Sequence, residues 1–347
     1  MKLDWSWTLW CVVISVVGAF LVGLEEAQGA DAADQHRFEV KVLVLNYDPL
    51  VSQAGGGKER LHQALKWDDP RKLAEQYVAD LDKATAGSVR LTITEWRDLD
   101  QIPAKKDGFQ YSVETYLKNH HEGKGWHERD AVDYARIVVE NKVDELIGNG
   151  TIDEVWLFGG PYFGYWESAM AGPRSFYING GPIPEVECKR PFVIMGFNYE
   201  RGEAEMLHSL CHRIESTMGR FSGGWEVDKL TTPWAMFAAN LKQSNGQAGC
   251  GSCHYPPNAE SDYDYANKRI VKSSADDWLN YPNLKGTRSD VNCETWGGPD
   301  YQRNYFVWWY TRFPKADGAN PESGLENNWW KYVYQFDRYE ENGQLQN

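Results

Sequence analysis

The chain nowhere concentrates positive charge. Its 347 residues carry 36 Lys and Arg against 50 Asp and Glu, a net charge of −14. No basic stripe exists from which phosphate contacts would release counterions, so nucleic acid is excluded as a partner. After the first thirty residues no apolar run approaches the roughly 20 residues that a membrane span needs. Internal repeats, heptads and low-complexity segments are missing, which excludes solenoids and coiled coils. The GGGK at 55–58 lacks both the earlier glycine and the following hydroxyl of a phosphate loop. Cysteine is scarce, at six. Beyond residue 29 there remain Cys188, Cys211, Cys250, Cys253 and Cys293, an odd set that cannot pair completely. Cys211 falls inside a candidate helix and reads as the unpaired one, leaving the other four as disulfide candidates in undetermined pairing.

What is present begins with an address. Residues 10–24, WCVVISVVGAFLVGL, are apolar, too short to span, and followed by the small-residue segment AQGADAA. This is the pattern of a secretory signal peptide over 1–29, cut near Gly29 or Ala30, and it predicts a secreted or periplasmic protein with no membrane span in the mature chain. The aromatic content is high, with 16 Trp, 19 Tyr and 13 Phe. Such residues build either a large core or a surface that binds polymer.

Strand and helix patterns alternate through the first two thirds. FEVKVLVLNY (38–47) alternates and then turns continuously apolar, as does a strand entering a core. DPRKLAEQYVADLDKATAG follows, with Asp69 as N-cap, Pro70 in the first turn and Gly87 as the stop. SVRLTITEW (88–96) is a second strand, 130–147 a second helix, and DEVWLFGG a third strand. PYFGYWESAMAGPRSFYINGGPIP reads as a long ordered loop with an edge strand at SFYI (175–178), before a strand in PFVIMGFNY (191–199) and a helix over ERGEAEMLHSLCHRIESTMG. The expected class is α/β, a mixed and mostly parallel sheet covered by helices over 30–222. Residues 223–347 should form an aromatic-rich helical and loop subdomain that closes a cleft.

The helix at 205–216, EMLHSLCHRIES, carries the chemistry. At ~100° per residue Glu205, His208, His212 and Glu215 fall within roughly 80° on one face, and histidines at i and i+4 can address one ion. The two glutamates lie ~15 Å apart along the axis, so at most one can join both imidazoles. A third ligand is therefore His254 or Glu215. Ser209 stands where a metallopeptidase helix has its glutamate, and a serine is no base near neutral pH. Glu205 or the loop residue Glu167 must then serve. Cys250, Cys253 and His254 also spell CxxCH, the spacing of c-type haem attachment.

The order of an edge strand, a further strand and a histidine helix resembles the zincin metallopeptidase fold over roughly 38–220, carried by the degenerate motif His208-Ser-x-x-His212. The segments LHSLCHRIES, HYPPNAESDYDY and NNWWKYVYQF also resemble an uncharacterised family of large secreted proteins, which implies no activity. The resulting expectation is an exported, zinc-dependent hydrolase acting on extracellular peptide or glycan. The alternative is a non-catalytic protein, with structural metal or none, that recognises polymer through its Trp-rich C-terminal part. N-terminal sequencing of the exported protein should start within a few residues of Ala30, and a terminus at Met1 would refute the cleavage.

Overall fold

A computed structural model describes residues 37–346 except Trp225 and Val227. The expected signal peptide lies outside the described residues. Strand β1 (Phe38–Tyr47) buries alternate positions at its start and every residue from Val42 onward. That is why its sequence changes from alternating to continuous apolar character. Helix α1 (Pro70–Thr85) starts where Asp69 accepts the Arg71 N–H and ends on Ala86, held in the left-handed region at φ 51° just before Gly87. Strand β2 (Val89–Leu99) returns parallel to β1.

Three elements depart from the sequence expectation. Helix α2 (Val113–Glu122) buries only Tyr116 and Asn119, too little apolar periodicity to announce it. The single helix expected over 130–147 is two, α3 (Tyr134–Glu140) and α4 (Val143–Gly148). At the break, the Asn141 side-chain amide turns onto the Ile137 carbonyl at 2.9 Å and Lys142 adopts φ 54°. After β3 (Glu154–Gly159), the edge strand is β4 (Ser168–Ala171) rather than 175–178. Its residues, SAMA, are all buried, and the Ile178 carbonyl instead accepts the Ser168 hydroxyl.

Strand β5 (Phe192–Asn198) completes a sheet of order β2-β1-β3-β5-β4, parallel except for the antiparallel edge β4. Helix α5 (Glu203–Phe221) follows directly and carries the histidines. The chain then crosses over it through α6 (Pro233–Ala238), α7 (Tyr301–Arg312) and α8 (Trp330–Tyr334). Two short antiparallel ladders, Val271–Ser273 with Ser289–Val291 and Lys315–Ala319 with Glu326–Asn328, lie among them. One apolar cluster runs from Val42 and Trp156 of the sheet through Leu210 and Ile214 of α5 to Trp309 and Trp330. A second, around Leu43, Leu45 and Leu157, fills the opposite face. No core boundary falls at 222, and residues 35–347 form one unit.

Most described aromatics after 223 are core: Trp234, Trp309 and Trp330 are fully buried, with Trp278 and Trp329 nearly so.

Below the site, Arg213 on α5 pairs with Glu154 on β3 at 2.6 Å, donates to the Val333 carbonyl at 2.9 Å and lies over the Tyr334 ring. Glu154 also accepts the Trp156 indole N–H at 2.9 Å. Both charges are essentially excluded from solvent. Removing one of them leaves the other unpaired in a dry interior, at a cost of about 3–5 kcal/mol. Glu154→Gln should lower the urea unfolding free energy by about that much, and E154Q combined with R213M should recover a large part of the loss.

Candidate metal centre

The histidine helix turns one face to the sheet and the other to the crossing segments. On that second face the His208 and His212 rings stand 4.6 Å apart. His254 joins them from the loop after α6, with its ring 4.7 Å from His212 and 5.1 Å from His208. The structure thus brings together the two helix histidines and the first of the two expected third ligands. The second, Glu215, is turned elsewhere. Its Oε2 lies 3.1 Å from His212 Nδ1, and its Oε1 accepts the Cys253 backbone N–H at 2.7 Å.

His254 has a matching partner, because Asp262 Oδ1 lies 3.1 Å from its Nδ1. Two carboxylates therefore hold protons on the Nδ1 atoms of His212 and His254. Their Nε2 atoms lie 2.9 Å apart, each left to share or accept a proton or an ion. Two acceptors at that separation repel unless an electrophile, a proton or a metal ion, lies between them. Carboxylate–imidazole pairs of this kind orient metal-ligating histidines. His208 brings a buried imidazole whose Nδ1 has no hydrogen-bond partner among the described residues. Burial first, and the neighbouring His212 and His254 next, push its pKa down to about 3. It is a neutral donor at any physiological pH, as a metal requires. Burial also disfavours charge on His212, but the hydrogen bond and charge of Glu215 outweigh it and raise its pKa.

The two glutamates expected as bases part company. Glu205 is bound to Arg201 at 2.9 Å and accepts from Gln302 at 3.1 Å. Glu167 stands across from the imidazoles, with Oε1 3.8 Å from His208 Nε2 and Oε2 3.9 Å from His212 Nε2. It is held by Asn179, which donates to Oε2 at 2.8 Å, and by its own carbonyl, which accepts the Gly196 N–H at 3.0 Å. Gly196 must be glycine, since a Cβ would come 2.2 Å from the Trp166 carbonyl oxygen. Burial raises the Glu167 pKa, as suits a base. Ser209 takes no part, its hydroxyl being bonded back to the Glu205 carbonyl at 2.9 Å. Beside Glu167 a pocket of about 170 Å³ opens between Tyr162, Tyr165, Asn198, Arg201 and Glu205.

The aromatics of α7 fix the His254 loop through their polar handles. The Tyr305 hydroxyl donates to the Ser252 carbonyl at 2.8 Å and the Trp309 indole to Gly251 at 3.0 Å, while Tyr265 donates to Cys253 at 2.7 Å. Gly251, at φ 83°, passes so close to Tyr255 and Tyr305 that a side chain would clash with both. Tyr263, held at φ 58°, lays its half-exposed ring 4.4 Å from that of His254 and donates its N–H to the His254 carbonyl at 2.9 Å. A bulky residue at positive φ is costly and points to a functional constraint.

Sequence reasoning missed Cys253 as a donor. One donor atom from each of His208, His212, Cys253 and His254 lies within 4.8 Å of all the others. The CxxCH spacing places Cys253 beside His254, but the haem reading gains no support. Cys250 and Cys253 are buried with their sulfurs at different carbonyls, and His254 Nε2 faces His212. All five described cysteines are free thiols, and Cys211, expected alone, has Cys253 as its hydrogen-bond partner. Away from the centre, His62 Nδ1 lies 2.6 Å from Oδ2 of buried Asp48.

Comparison with protein-family models, with curated proteins and with solved structures returns no match. The site therefore speaks through its own chemistry. Three imidazoles with two outer carboxylates suit a borderline divalent ion such as zinc. Zn–N bonds of about 2.0–2.1 Å in tetrahedral geometry place donors about 3.3 Å apart, against the 2.9 Å between His212 Nε2 and His254 Nε2 and the 4.8 Å within which the whole donor set lies. Replacing Asp262 by Asn frees the His254 ring without touching the core. Competition titration against a chelator should show affinity for zinc falling about 10–100-fold in that variant, with the thermal midpoint of the metal-free protein unchanged.

Proposed function

We propose that this protein is an exported, divalent-metal-dependent hydrolase with a zincin-like core, zinc being the ion that the donors suit and peptide the substrate class. The observation that carries the reading is the pair of carboxylate-oriented imidazoles with Nε2 atoms 2.9 Å apart, opposite a half-buried glutamate. An edge strand, then a further strand, then the histidine helix is the order that the zincin resemblance implies, and the order β4, β5, α5 supports it. No helix among the described residues is long and apolar enough to cross a membrane.

His208, His212 and His254 would hold the ion, which supplies Lewis-acid polarisation and charge stabilisation. Glu167 holds the attacking water through a carboxylate oxygen and accepts its proton, the task that a helix glutamate would perform if residue 209 were not serine. Glu215 and Asp262 keep the imidazoles in the required tautomer. The pocket beside Glu167, with Arg201 and Glu205 at its wall, receives the polar part of the substrate.

One observation favours a second reading. Cys253 sits close enough to serve as a fourth protein ligand, and four protein ligands make a closed, structural site rather than a catalytic one.

Purification without chelators and elemental analysis should find one equivalent of zinc. A quenched-fluorescence peptide library should then reveal cleavage that a chelator abolishes. Glu167→Gln should lower kcat by about 10²–10⁴-fold with metal content unchanged, whereas Glu205→Gln should leave metal content and most of kcat in place. Zinc-loaded protein that cleaves no peptide would reduce the centre to a structural one, and substoichiometric metal would remove it altogether.

A further inference from the structure

Cys211 lies on α5 between the two helix histidines, three residues after His208 and one before His212. Cys253 immediately precedes His254. The two thiols are each other's hydrogen-bond partners. Cys253 Sγ also rests 3.6 Å from the His208 carbonyl, one helical turn before Cys211 on the same helix. The remaining cysteines face elsewhere, Cys250 toward the Ala275 carbonyl at 3.9 Å and Cys188 toward that of Asp144 at 3.7 Å.

We propose that Cys211 and Cys253 join as a disulfide in the exported protein, and that this bond decides the class of the metal centre by withdrawing Cys253 from the ligand set. The cross-link stands on the geometry of the two thiols, while its consequence rests on the metal reading above. The oxidant is a disulfide of the export compartment, small-molecule or protein. One cysteine thiolate attacks it to give a mixed disulfide and release a thiol. The second thiolate displaces the remaining oxidant sulfur, so that one S–S bond forms, two protons leave, and the oxidant gains two electrons as two thiols. The exchange belongs to the folding chain, because both thiols are buried in the finished protein and only a thiolate that the oxidant can reach reacts.

A sulfur held in a disulfide is not a thiolate ligand. The oxidised protein keeps three histidines and an open position, the arrangement of a catalytic site, whereas the reduced protein can close its site with Cys253. The same bond ties the His254 loop to the helix that carries His208 and His212. It therefore fixes the distance between the two Nε2 atoms.

The test uses the full chain secreted through an oxidising compartment, denatured in iodoacetamide and digested without reductant. Alkylated Cys188, Cys250 and Cys293, together with a cross-linked peptide pair joining Cys211 to Cys253, is the expected result. Quantitative alkylation of Cys253, or its joining to Cys250, overturns the proposal. Cobalt(II) substitution then reads the ligand set. Wild-type protein should lack the thiolate-to-cobalt charge-transfer band in the near ultraviolet, and Cys211→Ala should gain it while losing peptide cleavage. A thiolate band in the cross-linked wild type, or none in a folded C211A variant, overturns the proposed consequence. The peptide map of the wild type stands even if the variant fails to fold. Cross-linked protein that binds no cobalt overturns the metal reading and leaves the cross-link established.

Discussion

Two imidazole Nε2 atoms set 2.9 Å apart are the constraint on which the rest of this molecule turns. Each is aimed by a carboxylate on the opposite side of its ring, Glu215 for His212 and Asp262 for His254. Both nitrogens cannot stay bare at that separation, and packed structure on both sides holds the two rings there. Preorganisation of this kind has a cost in stability that the surrounding fold must offset.

The offset comes from two directions. Below, Arg213 and Glu154 fasten the helix to the middle of the sheet in a fully buried pair, with Arg213 also donating to the Val333 carbonyl. Above, the aromatics of α7 cover the helix and use their hydroxyl and indole groups to hold the carbonyls of the loop that carries His254. Each such hydrogen bond contributes about 1 kcal/mol, but the rings also exclude water, which strengthens every charge interaction in the site. The abundance of Trp and Tyr after residue 223 thus has a structural reason. It forms the upper wall of the core and the clamp on a ligand loop.

Parts of this were legible in the residues alone. The shift in β1 from alternating to continuous apolar residues, the Asp69-Pro70 start of α1 and the helical face shared by His208 and His212 are local properties, each set by neighbours within a turn or a pleat. His254 was legible as a candidate because prolines and neighbouring cysteines stiffen its loop. The edge strand was not, since SAMA has no strong strand preference and becomes β4 only because β5 offers it a partner. The division of labour between Glu167 and Glu205 was equally hidden. Both are glutamates near the helix, and only Arg201 and Gln302 on one side and the facing imidazoles on the other tell them apart.

The sequence by itself determined the α/β class, the histidine face and the loss of a helix base at Ser209, because periodicity and residue type are carried along the chain. Tertiary structure alone decided which carboxylate faces the imidazoles, that Glu215 lies on the Nδ1 side of His212, and that Cys253 lies beside Cys211 at the centre. These depend on where segments far apart in the chain are brought within a few ångströms. That placement is set by the packing of the aromatic cap against the helix, and no local pattern encodes it.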